Sequence, residues 1–508
     1  MTDHVRIRSG AYADSVTLLQ VSKRVAAFAG VVDAQVAMAT GLNLETLAAM
    51  GFDVPPEATP NDMVVAVRLD GAVLDDVLVE VDAALDEVSR PAVDGDATVA
   101  PPRTTASALR GAPADAVVLV SVPGASAFVE AMDAVEAGHD VMVFSDNVPV
   151  AQEVALKSAA AGRDVLVMGP DCGTAVVGGV GLGFANVVRP GPVGIVAASG
   201  TGTQQVLALL DQAGVGVSAA LGVGGRDLSA AVGGLSTRTA LARLDDDPAT
   251  SHVLVVSKPP APQVAASIEA YAESLTVPVE LALLAPGTDL TLHTEALLDS
   301  LGVRPEPWRR WGQPEEAGPG RLCGLFVGGT LCDEAMLIAS EHLDEIRSNI
   351  PLDGGLGLDP AAVLAGDLGD AHVMIDFGDD ALTVGRAHPM IDPTLRLGAL
   401  RRAGTDPSTA AVLLDVVLGH GAEPDPGAVL APAIEAARQA AADGGRILAV
   451  VVTLVGTSSD PQGLERQGEA LAAAGAYVFS SNAEATRHAV GLVAPAAART
   501  ATTAGEAP

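Results

Sequence analysis

Residues 191–210 read GPVGIVAASGTGTQQVLALL, and the interpretation of the whole chain starts from this stretch. Residues 193–197 are small and apolar and predict a short buried strand, and a helical pattern begins at Gln204. Between them, residues 199–203 predict a tight turn of alternating hydroxyl residues and glycines. A parallel strand that enters a helix through such a turn leaves N–H groups unpaired at the positive end of the helix dipole. The stretch therefore predicts either an anion site or an ordinary corner with a Ser/Thr cap.

Length and composition indicate a multidomain α/β protein. The 508 residues exceed what one core can hold, so we expect three or four domains. Apolar residues make up 49 % of the chain and aromatics only 3 %, which suits buried parallel strands and closely packed helices. The start of the chain has no apolar signal core, and the longest apolar run, 447–455, is about half a membrane span. We expect a soluble, cytoplasmic protein.

The charge and the side chains that bind metals exclude several classes of function. A formal net charge of −34 disfavours nucleic acid and anionic membrane surfaces as partners. The odd set of three cysteines favours a reducing compartment over a disulfide framework. The nine histidines show no H-x-x-H spacing and the cysteines no C-x-x-C, so no metal site is predicted. An anionic ligand would have to be held by local dipoles and a few arginines.

Apolar periodicity and Pro/Gly-rich breaks divide the chain. The order β-α-β-β-α at the amino terminus predicts an ACT-like or ferredoxin-like module, either structural or effector-binding. Later strands and helices alternate, which predicts parallel sheets. The predicted parts are 1–90 (ACT/ferredoxin-like module), 91–112 (linker), 113–190 (Rossmann-like domain), 191–304 and 321–490 (two flavodoxin-like domains), 305–320 (second linker) and 491–508 (disordered tail).

An internal repeat relates the two flavodoxin-like domains. VGIVAASGTGTQQV (193–206) pairs with CGLFVGGTLCDEAM (323–336), and DPATSHVLVV (247–256) pairs with DPSTAAVLLD (406–415). Two similar folds can pack face to face, and each would aim a helix start at the cleft between them. Duplication without shared chemistry is the alternative. The predicted phosphate- and substrate-binding residues are Ser199, Gly200, Thr201, Gly202, Thr203, Gly328, Gly329, Thr330, Arg226, Arg386 and Asn482.

The arginines and histidines of this set lie on predicted loops. Arg226 and Arg386 occupy loops that the repeat equates, and Arg396 follows nearby; guanidinium groups bind oxyanions well. His388 is predicted as a general acid/base, with a loop-capping role as the alternative. His420 follows a predicted strand and is the second catalytic candidate.

Two further segments also follow predicted strands. GPDCGT (169–174) is a turn at a strand's carboxyl end, where open parallel sheets bind ligands, or else a stiff connector. Its Cys172 is either a nucleophile or a packed thiol. Asn482, with Ser480, either lines the cleft or caps a helix.

Together these motifs resemble the succinyl-CoA synthetase superfamily, the NDP-forming acyl-CoA synthetases. GPDCGT is similar to that family's GPNCPG turn, and SGTGTQQ to the start of its phosphate-binding helix. The FdrA family is a closer match, on the run 168–206, AHPMIDPTLR (387–396) and SSNAEATR (480–487). The resemblance implies that residues 113–190 are a CoA-binding-type domain, with CoA as a cofactor and Pro170, Cys172 and Gly173 as its contacts.

The chain departs from the acyl-CoA synthetases in three ways. Their phosphorylated histidine lies in a G-H-A-G loop, but here the corresponding strand ends in Ser257-Lys258-Pro259-Pro260 and the next histidine is His293. We find no stretch that corresponds to an ATP-grasp domain. The phosphate loop that grips CoA in that family has no clear counterpart. The relay to ATP therefore looks lost.

The FdrA resemblance implies a carbamoyl transfer late in allantoin breakdown, in purine nitrogen salvage. The expected activity is that of an oxamate carbamoyltransferase subunit, which converts oxalurate and phosphate to oxamate and carbamoyl phosphate. A small anionic substrate, phosphate as co-substrate, further protein subunits and an oligomer are the expected partners. The alternatives are a succinate–CoA ligase-like enzyme that works with an ATP-grasp partner, and a non-catalytic scaffold or sensor.

Overall fold

The computed structural model describes residues 1–89, 102–314, 316–352, 355–383 and 385–494. The chain forms two compact units. The first combines Met1–Pro101 with Gly378–Pro393, and the second combines Pro102–Phe377 with Thr394–Pro508. Within the described ranges, no helix has both the length and the apolar composition needed to cross a membrane.

The strands and helices follow in chain order. They are β1 (Thr2–Arg8), α1 (Ser15–Ala26), β2 (Val31–Met38), α2 (Gly41–Ala49), β3 (Met63–Leu69), α3 (Leu74–Ser89), α4 (Thr105–Leu109), β4 (Val118–Val120), α5 (Gly124–Glu136), β5 (Val141–Val143), α6 (Val150–Ala161), β6 (Val167–Met168), β7 (Thr174–Val177), β8 (Val180–Gly183), β9 (Pro190–Ala198), α7 (Gly200–Gln212), β10 (Val217–Gly222), α8 (Leu235–Asp246), β11 (His252–Ser257), α9 (Pro262–Ala272), β12 (Val279–Leu283), α10 (Leu290–Ser300), β13 (Arg310–Trp311), β14 (Arg321–Phe326), α11 (Gly329–Ser340), β15 (Ile346–Ser348), β16 (Leu356–Gly357), α12 (Pro360–Ala365), β17 (His372–Asp376), α13 (Asp380–Thr383), α14 (Thr394–Thr405), β18 (Thr409–Val417), α15 (Pro426–Asp443), β19 (Ala449–Val455), α16 (Leu464–Ala473), β20 (Tyr477–Phe479) and α17 (Asn482–Val493).

The first unit is an antiparallel sheet in the order β1-β3-β2. Helices α1 and α3 supply Leu18, Val21 and Val77 to a core shared with β2 and β3. The sequence predicted this ferredoxin-like order but missed α2. That helix is only nine residues long and begins at a glycine, so its pattern is weak, yet Leu47 packs on Val64 of β3 in a second small core.

The second unit contains three sheets with mainly parallel strands. A small parallel sheet has the order β4-β5-β6, as predicted for a Rossmann-like domain. The next sheet has the order β12-β11-β9-β10-β7-β8, and the last has the order β13-β20-β19-β18-β14-β17-β15-β16. The protein is therefore a multidomain α/β fold, as the sequence predicted.

Several strand pairings and helices cross the predicted boundaries. Strand β7 lies before the predicted break at residue 190 but pairs with β10, so it belongs to the sheet after that break. Strand β13 lies in the predicted linker 305–320 and pairs with β20. Helix α4 lies in the predicted linker 91–112, whose residues 91–101 are outside the described chain. Helix α17 runs three residues into the predicted tail 491–508, and residues 495–508 of that tail are outside the described chain.

The internal repeat corresponds to a repeated topology. Strand β9 lies between β11 and β10, and strand β14 lies between β18 and β17, with parallel pairing throughout. Each central strand leads through a glycine corner into a helix, α7 or α11. Both corners therefore lie at the carboxyl ends of parallel strands, where ligand sites of such sheets occur.

Candidate functional site

The two glycine corners contact each other directly. The Ser199 Oγ hydroxyl donates a hydrogen bond of 2.7 Å to Thr330 Oγ1, and both side chains are buried. A Cβ on Gly202 would lie 2.9 Å from Thr330 Cγ2, and a Cβ on Gly328 would lie 2.6 Å from Thr201 Cβ. Glycine is thus required at one position of each corner because the other corner's threonine occupies the space. We call Ser199, Thr201, Gly202, Gly328 and Thr330 the corner junction.

The first corner is capped by its own residues. Ser199 is the N-cap of α7, and its Oγ accepts a hydrogen bond of 2.8 Å from the backbone N–H of Gly202. The Thr203 hydroxyl donates to the backbone oxygen of Ser199. A hydroxyl at the N-cap satisfies one of the N–H groups that a helix start leaves unpaired. The corner is therefore specified within five residues of sequence.

The second corner is held by a distant carboxylate. Helix α11 has no side-chain cap at Gly328. Instead the Asp415 carboxylate, from β18, accepts hydrogen bonds from the N–H groups of Val327 (2.8 Å) and Gly328 (3.1 Å). Burial raises the pKa of Asp415 to about 6, although its ion pair with Arg396, at 3.0 Å, acts in the opposite direction. The corner thus depends on a buried ion pair.

The GPDCGT turn packs against the first corner. The nearest heavy atom to a Cβ built on Gly200 is Gly173 Cα, at 3.8 Å. Gly224, after β10, has φ +89°, and a Cβ there would lie 2.5 Å from the backbone oxygen of Pro170. Burial raises the pKa of Cys172 to about 12, so the buried thiol is not ionised near neutral pH. This environment favours the packed-thiol alternative over a nucleophile.

A lysine that the sequence analysis did not select lies beside the second corner. Lys258 follows β11, and its Nζ is 2.7 Å from the position of a Cβ on Gly329. Asp333 Oδ2 lies 3.9 Å from that Nζ, and Asp376 Oδ2 lies 2.8 Å from the same Cβ position. Burial opposes the charge on Lys258, but the carboxylates of Asp333 and Asp376 outweigh it and raise the pKa of the lysine. Burial raises the pKa of Asp333 to about 6.

One signal in the sequence could have identified this lysine. Lys258 comes directly after the strand that pairs with β9, so it lies at the same sheet edge as Ser199. Asp376, the last residue of β17, occupies the same place beside β14. These strand ends are far apart in the sequence, and they become neighbours only because the strands pair in parallel.

Both predicted arginines have partners within the protein. The Arg226 Nε donates to Glu153 at 3.0 Å, and its Nη2 donates to the backbone oxygen of Val148 at 2.8 Å. Arg386 belongs to the first unit, where it donates to Thr46 and forms an ion pair with Asp392 at 3.1 Å. The residues of the corner junction, like Arg226, belong to the second unit.

Each of the two predicted histidines contacts another part of its own unit. His388 belongs to the first unit, and its Nδ1 accepts a hydrogen bond of 3.3 Å from the Met390 N–H. This contact is of the kind expected for a loop-capping residue. His420 follows β18 as predicted and its side chain is exposed, while its backbone pairs with Ala185.

Asn482 joins elements rather than facing a cleft. Its Nδ2 donates to Leu331 O at 3.0 Å and to Glu334 Oε2 at 2.6 Å, and its Oδ1 accepts from Thr453. The N-cap of α17 is Ser481, not Ser480 or Asn482. The polar atoms of the Asn482 side chain are therefore hydrogen-bonded within the second unit.

The first βα turn of residues 113–190 offers few donors for a CoA phosphate. It joins β4 to α5, and its N-cap, Pro123, makes no side-chain cap. A Cβ on Gly124 would lie 2.7 Å from the backbone carbon of Asn147, so the neighbouring loop fills the space at this helix start. A pyrophosphate needs open N–H groups there. The turn does not fit that group.

In the part of the chain that the structure describes, no three His, Cys, Asp or Glu side chains come together as a metal ion would require. Residues 1–101 contain no cysteine and one histidine, His4.

Two family models match parts of the chain. Residues 1–101 match an AllF, heavy metal-associated domain, and residues 325–492 match a CoA-ligase domain. The protein is 35 % identical to the uncharacterized protein YahF of Escherichia coli K12, over 95 % of this chain and 97 % of YahF. The chain belongs to the YahF family. The predicted membership of the FdrA-type proteins in the succinyl-CoA synthetase superfamily is thereby confirmed.

More distant relatives match only part of the YahF-family chain. A malate–CoA ligase subunit alpha of Methylorubrum extorquens is 28 % identical over 34 % of this chain and 58 % of that protein. A succinate–CoA ligase subunit alpha of Methanothermobacter thermautotrophicus is 30 % identical over 28 % and 47 %, respectively. A solved structure of the acetyl-coenzyme A synthetase 1 of Ca. Korarchaeum cryptofilum, in complex with phosphate and ADP, is 15 % identical to this chain, with a TM-score of 0.29. The match covers 82 % of this chain and 90 % of the synthetase chain.

Proposed function

We propose that this protein transfers a carbamoyl or other acyl group to or from phosphate at the corner junction, as one subunit of a larger complex. The observation that carries the proposal is the hydrogen bond of 2.7 Å between Ser199 and Thr330. It joins the starts of two helices, of 13 and 12 residues, whose positive dipole ends both favour an anion. Membership of a family with a CoA-ligase domain supports group transfer of the acyl type.

The reaction that we favour is oxalurate plus phosphate giving oxamate plus carbamoyl phosphate. A phosphate oxygen attacks the carbamoyl carbon of oxalurate, the C–N bond to oxamate breaks, and the oxamate nitrogen takes a proton. Negative charge develops on the carbamoyl oxygen during the attack. Backbone N–H groups and hydroxyls that are already oriented toward that oxygen lower the barrier, because they need no reorganisation. Thr201 and Thr330 are the buried hydroxyl residues that would serve in this way, since the Ser199 hydroxyl already donates to Thr330.

The test is an assay of carbamoyl phosphate formation from oxalurate and phosphate, with and without the expected partner subunits. Thr330→Val keeps the side-chain shape but removes the hydroxyl, and we expect it to lower the rate about 10- to 100-fold. Thr405→Val is the control, because that hydroxyl is exposed and bonds only within its own helix end. Absence of product in every combination of subunits would reject the proposal. A Thr330→Val complex that works at the normal rate would favour the scaffold alternative.

A CoA ligase that works with an ATP-grasp partner is the second candidate. The CoA-ligase match over residues 325–492 and the alpha-subunit relatives favour it. It predicts that CoA raises the thermal midpoint of the protein and that a carboxylate and CoA stimulate ATP hydrolysis when the partner is present. The donor-poor turn at Pro123 weighs against it.

A further inference from the structure

We propose that Lys258 is the ammonium group that contacts the oxyanion of the substrate, phosphate or an acyl phosphate, at the corner junction. The reaction it would serve rests on the proposed function, but the binding role can be tested alone. The family resemblance places no lysine here; the strand merely ends in Ser257-Lys258 where its relatives carry a histidine loop.

The position of Lys258 covers the start of α11. Its Nζ lies 2.7 Å from where a Cβ on Gly329 would be, so any larger residue at 329 would displace the ammonium. Gly329 is the first residue of α11 and immediately precedes Thr330 of the corner junction. A cation at a helix start is disfavoured by the dipole, unless an anion lies between them. The Asp376 carboxylate, whose Oδ2 lies 2.8 Å from the same Cβ position, supplies one such negative charge, and a bound oxyanion would share the ammonium with it.

The three lysines of the chain differ in how fully the protein satisfies them. Lys157 is completely buried, and its Nζ donates three bonds of 2.8 Å, to Glu153, Asp227 and the backbone oxygen of Val223. Lys23 is exposed on α1 of the first unit. The Lys258 side chain is 38 % exposed, and within the described residues its Nζ has an ion pair at 3.9 Å but no hydrogen bond. Only Lys258 combines partial burial with unused donors.

The nearby carboxylates hold the lysine without saturating it. Asp333 is too distant, at 3.9 Å, for a hydrogen bond, so it orients the ammonium through charge alone. A phosphate oxygen at the start of α11 would accept a direct, charge-assisted hydrogen bond of about 2.8 Å from Nζ. It would also lie near both helix dipoles, which Asp333, on the second turn of α11, does not. The Lys258 ammonium would thus exchange its long ion pair with Asp333 for a short one with the bound anion.

Because the chain has only three lysines, their side chains can be observed individually. The full-length protein labelled with 13C- and 15N-lysine should give three sets of side-chain NMR signals, assigned with Lys258→Arg and Lys23→Gln. Inorganic phosphate and, separately, acetyl phosphate are titrated in. We expect the Lys258 Cε and Nζ signals to shift and saturate, while those of Lys23 and Lys157 stay in place. Isothermal titration should show at least 10-fold weaker binding to Lys258→Gln, unchanged binding to Lys23→Gln, and partial retention in Lys258→Arg.

Two results would overturn the inference. One is a Lys258 signal that does not move at saturating phosphate and acetyl phosphate; the other is a folded Lys258→Gln that binds both anions as tightly as the wild type. Thermal melting checks that the variant is folded, and if it is not, the NMR titration of the wild type decides. Phosphate binding at Lys258 with no turnover of oxalurate would reject the proposed reaction and keep this inference. Turnover of oxalurate without a shift of the Lys258 signals would reject this inference and keep the proposed reaction.

Discussion

The two glycine corners have the same topology but are stabilised in different ways. In the first, Ser199 caps the N–H of Gly202 three residues away, at 2.8 Å. In the second, the cap is absent and Asp415 binds the N–H of Gly328 across 87 residues of chain. The first corner depends on a neutral hydroxyl, and the second on a carboxylate that is buried with Arg396. The comparison teaches that a duplicated fold can keep its backbone path while replacing a local contact with a long-range ion pair.

Removing Asp415 should have the largest effect on this comparison. Asp415→Ala leaves the buried Arg396 without its carboxylate and two corner N–H groups without an acceptor. We expect a loss of about 3–5 kcal/mol in the free energy of unfolding. Chemical denaturation measures it. Asp82→Ala is the control, because its ion pair with Arg8 is exposed and should cost less than about 1 kcal/mol. Equal losses in the two variants would contradict the role given to Asp415.

Adding a methyl group at each corner should separate contact positions from open ones. Gly328→Ala places a Cβ 2.6 Å from Thr201 Cβ, so we expect a loss of about 1–3 kcal/mol in the free energy of unfolding. Gly200→Ala is the matched control, because its new Cβ would have no neighbour closer than 3.8 Å. Denaturation of both variants makes the measurement. If Gly328→Ala were as stable as Gly200→Ala, the corners would not be packed as described.

The acidic groups of the second half should make stability depend on pH. Burial raises the pKa of Asp333 to about 6, of Asp415 to about 6 and of Glu334 to about 7. Since these values lie above those of the unfolded chain, the stabilising contribution is complete below about pH 4 and is lost as pH rises through 6 to 7. Between pH 5.5 and 8 we expect a fall on the order of 2 kcal/mol in the free energy of unfolding.

Denaturation at a series of pH values measures this fall, and Glu334→Gln should flatten it. The lowered pKa of His372, which results mainly from burial, works in the opposite direction near pH 6. Stability that rises across this range in the wild type would show that the three carboxyls are ionised in the fold without cost.

Removing the local cap should have the smallest effect. Ser199→Ala leaves the N–H of Gly202 without its hydroxyl, and caps of this kind contribute about 1 kcal/mol. The same variant also loses the hydrogen bond to Thr330, so a double-mutant cycle with Thr330→Val should show a coupling of about 0.5–1 kcal/mol. Strict additivity of the two substitutions would mean that the corners do not interact. If Ser199→Ala lowered the free energy of unfolding as much as Asp415→Ala, the two corners would not differ in how they are stabilised.

Much of the fold could be predicted because its signals are local. The apolar run before Ser199 and the helical period after it specify β9 and α7, and the repeat transfers that prediction to β14 and α11. Strand β7 was missed because nothing in TAVV shows which sheet accepts it. Segment 378–393 was assigned to the last domain by its place in the chain, but it belongs to the first unit, where Gly385 O accepts from Asn43.

The candidate site was predicted less completely. The glycine and hydroxyl residues of the corners follow directly from the motif, and the structure brings both corners together. The charged side chains do not follow from it. Arg226 was selected because it is cationic and on the right loop, yet Glu153 binds it. Lys258 was passed over because an isolated lysine after a strand carries no pattern.

The sequence alone determined the parallel α/β architecture, the duplication and the two glycine corners, because periodicity and turn chemistry act within about 15 residues. Tertiary structure decided which charges meet at the corners. Asp415 reaches Gly328, and Lys258 reaches Gly329, only because parallel strands far apart in the chain end side by side. Electrostatic partners are chosen by distance in space, and spacing along the chain does not record that distance.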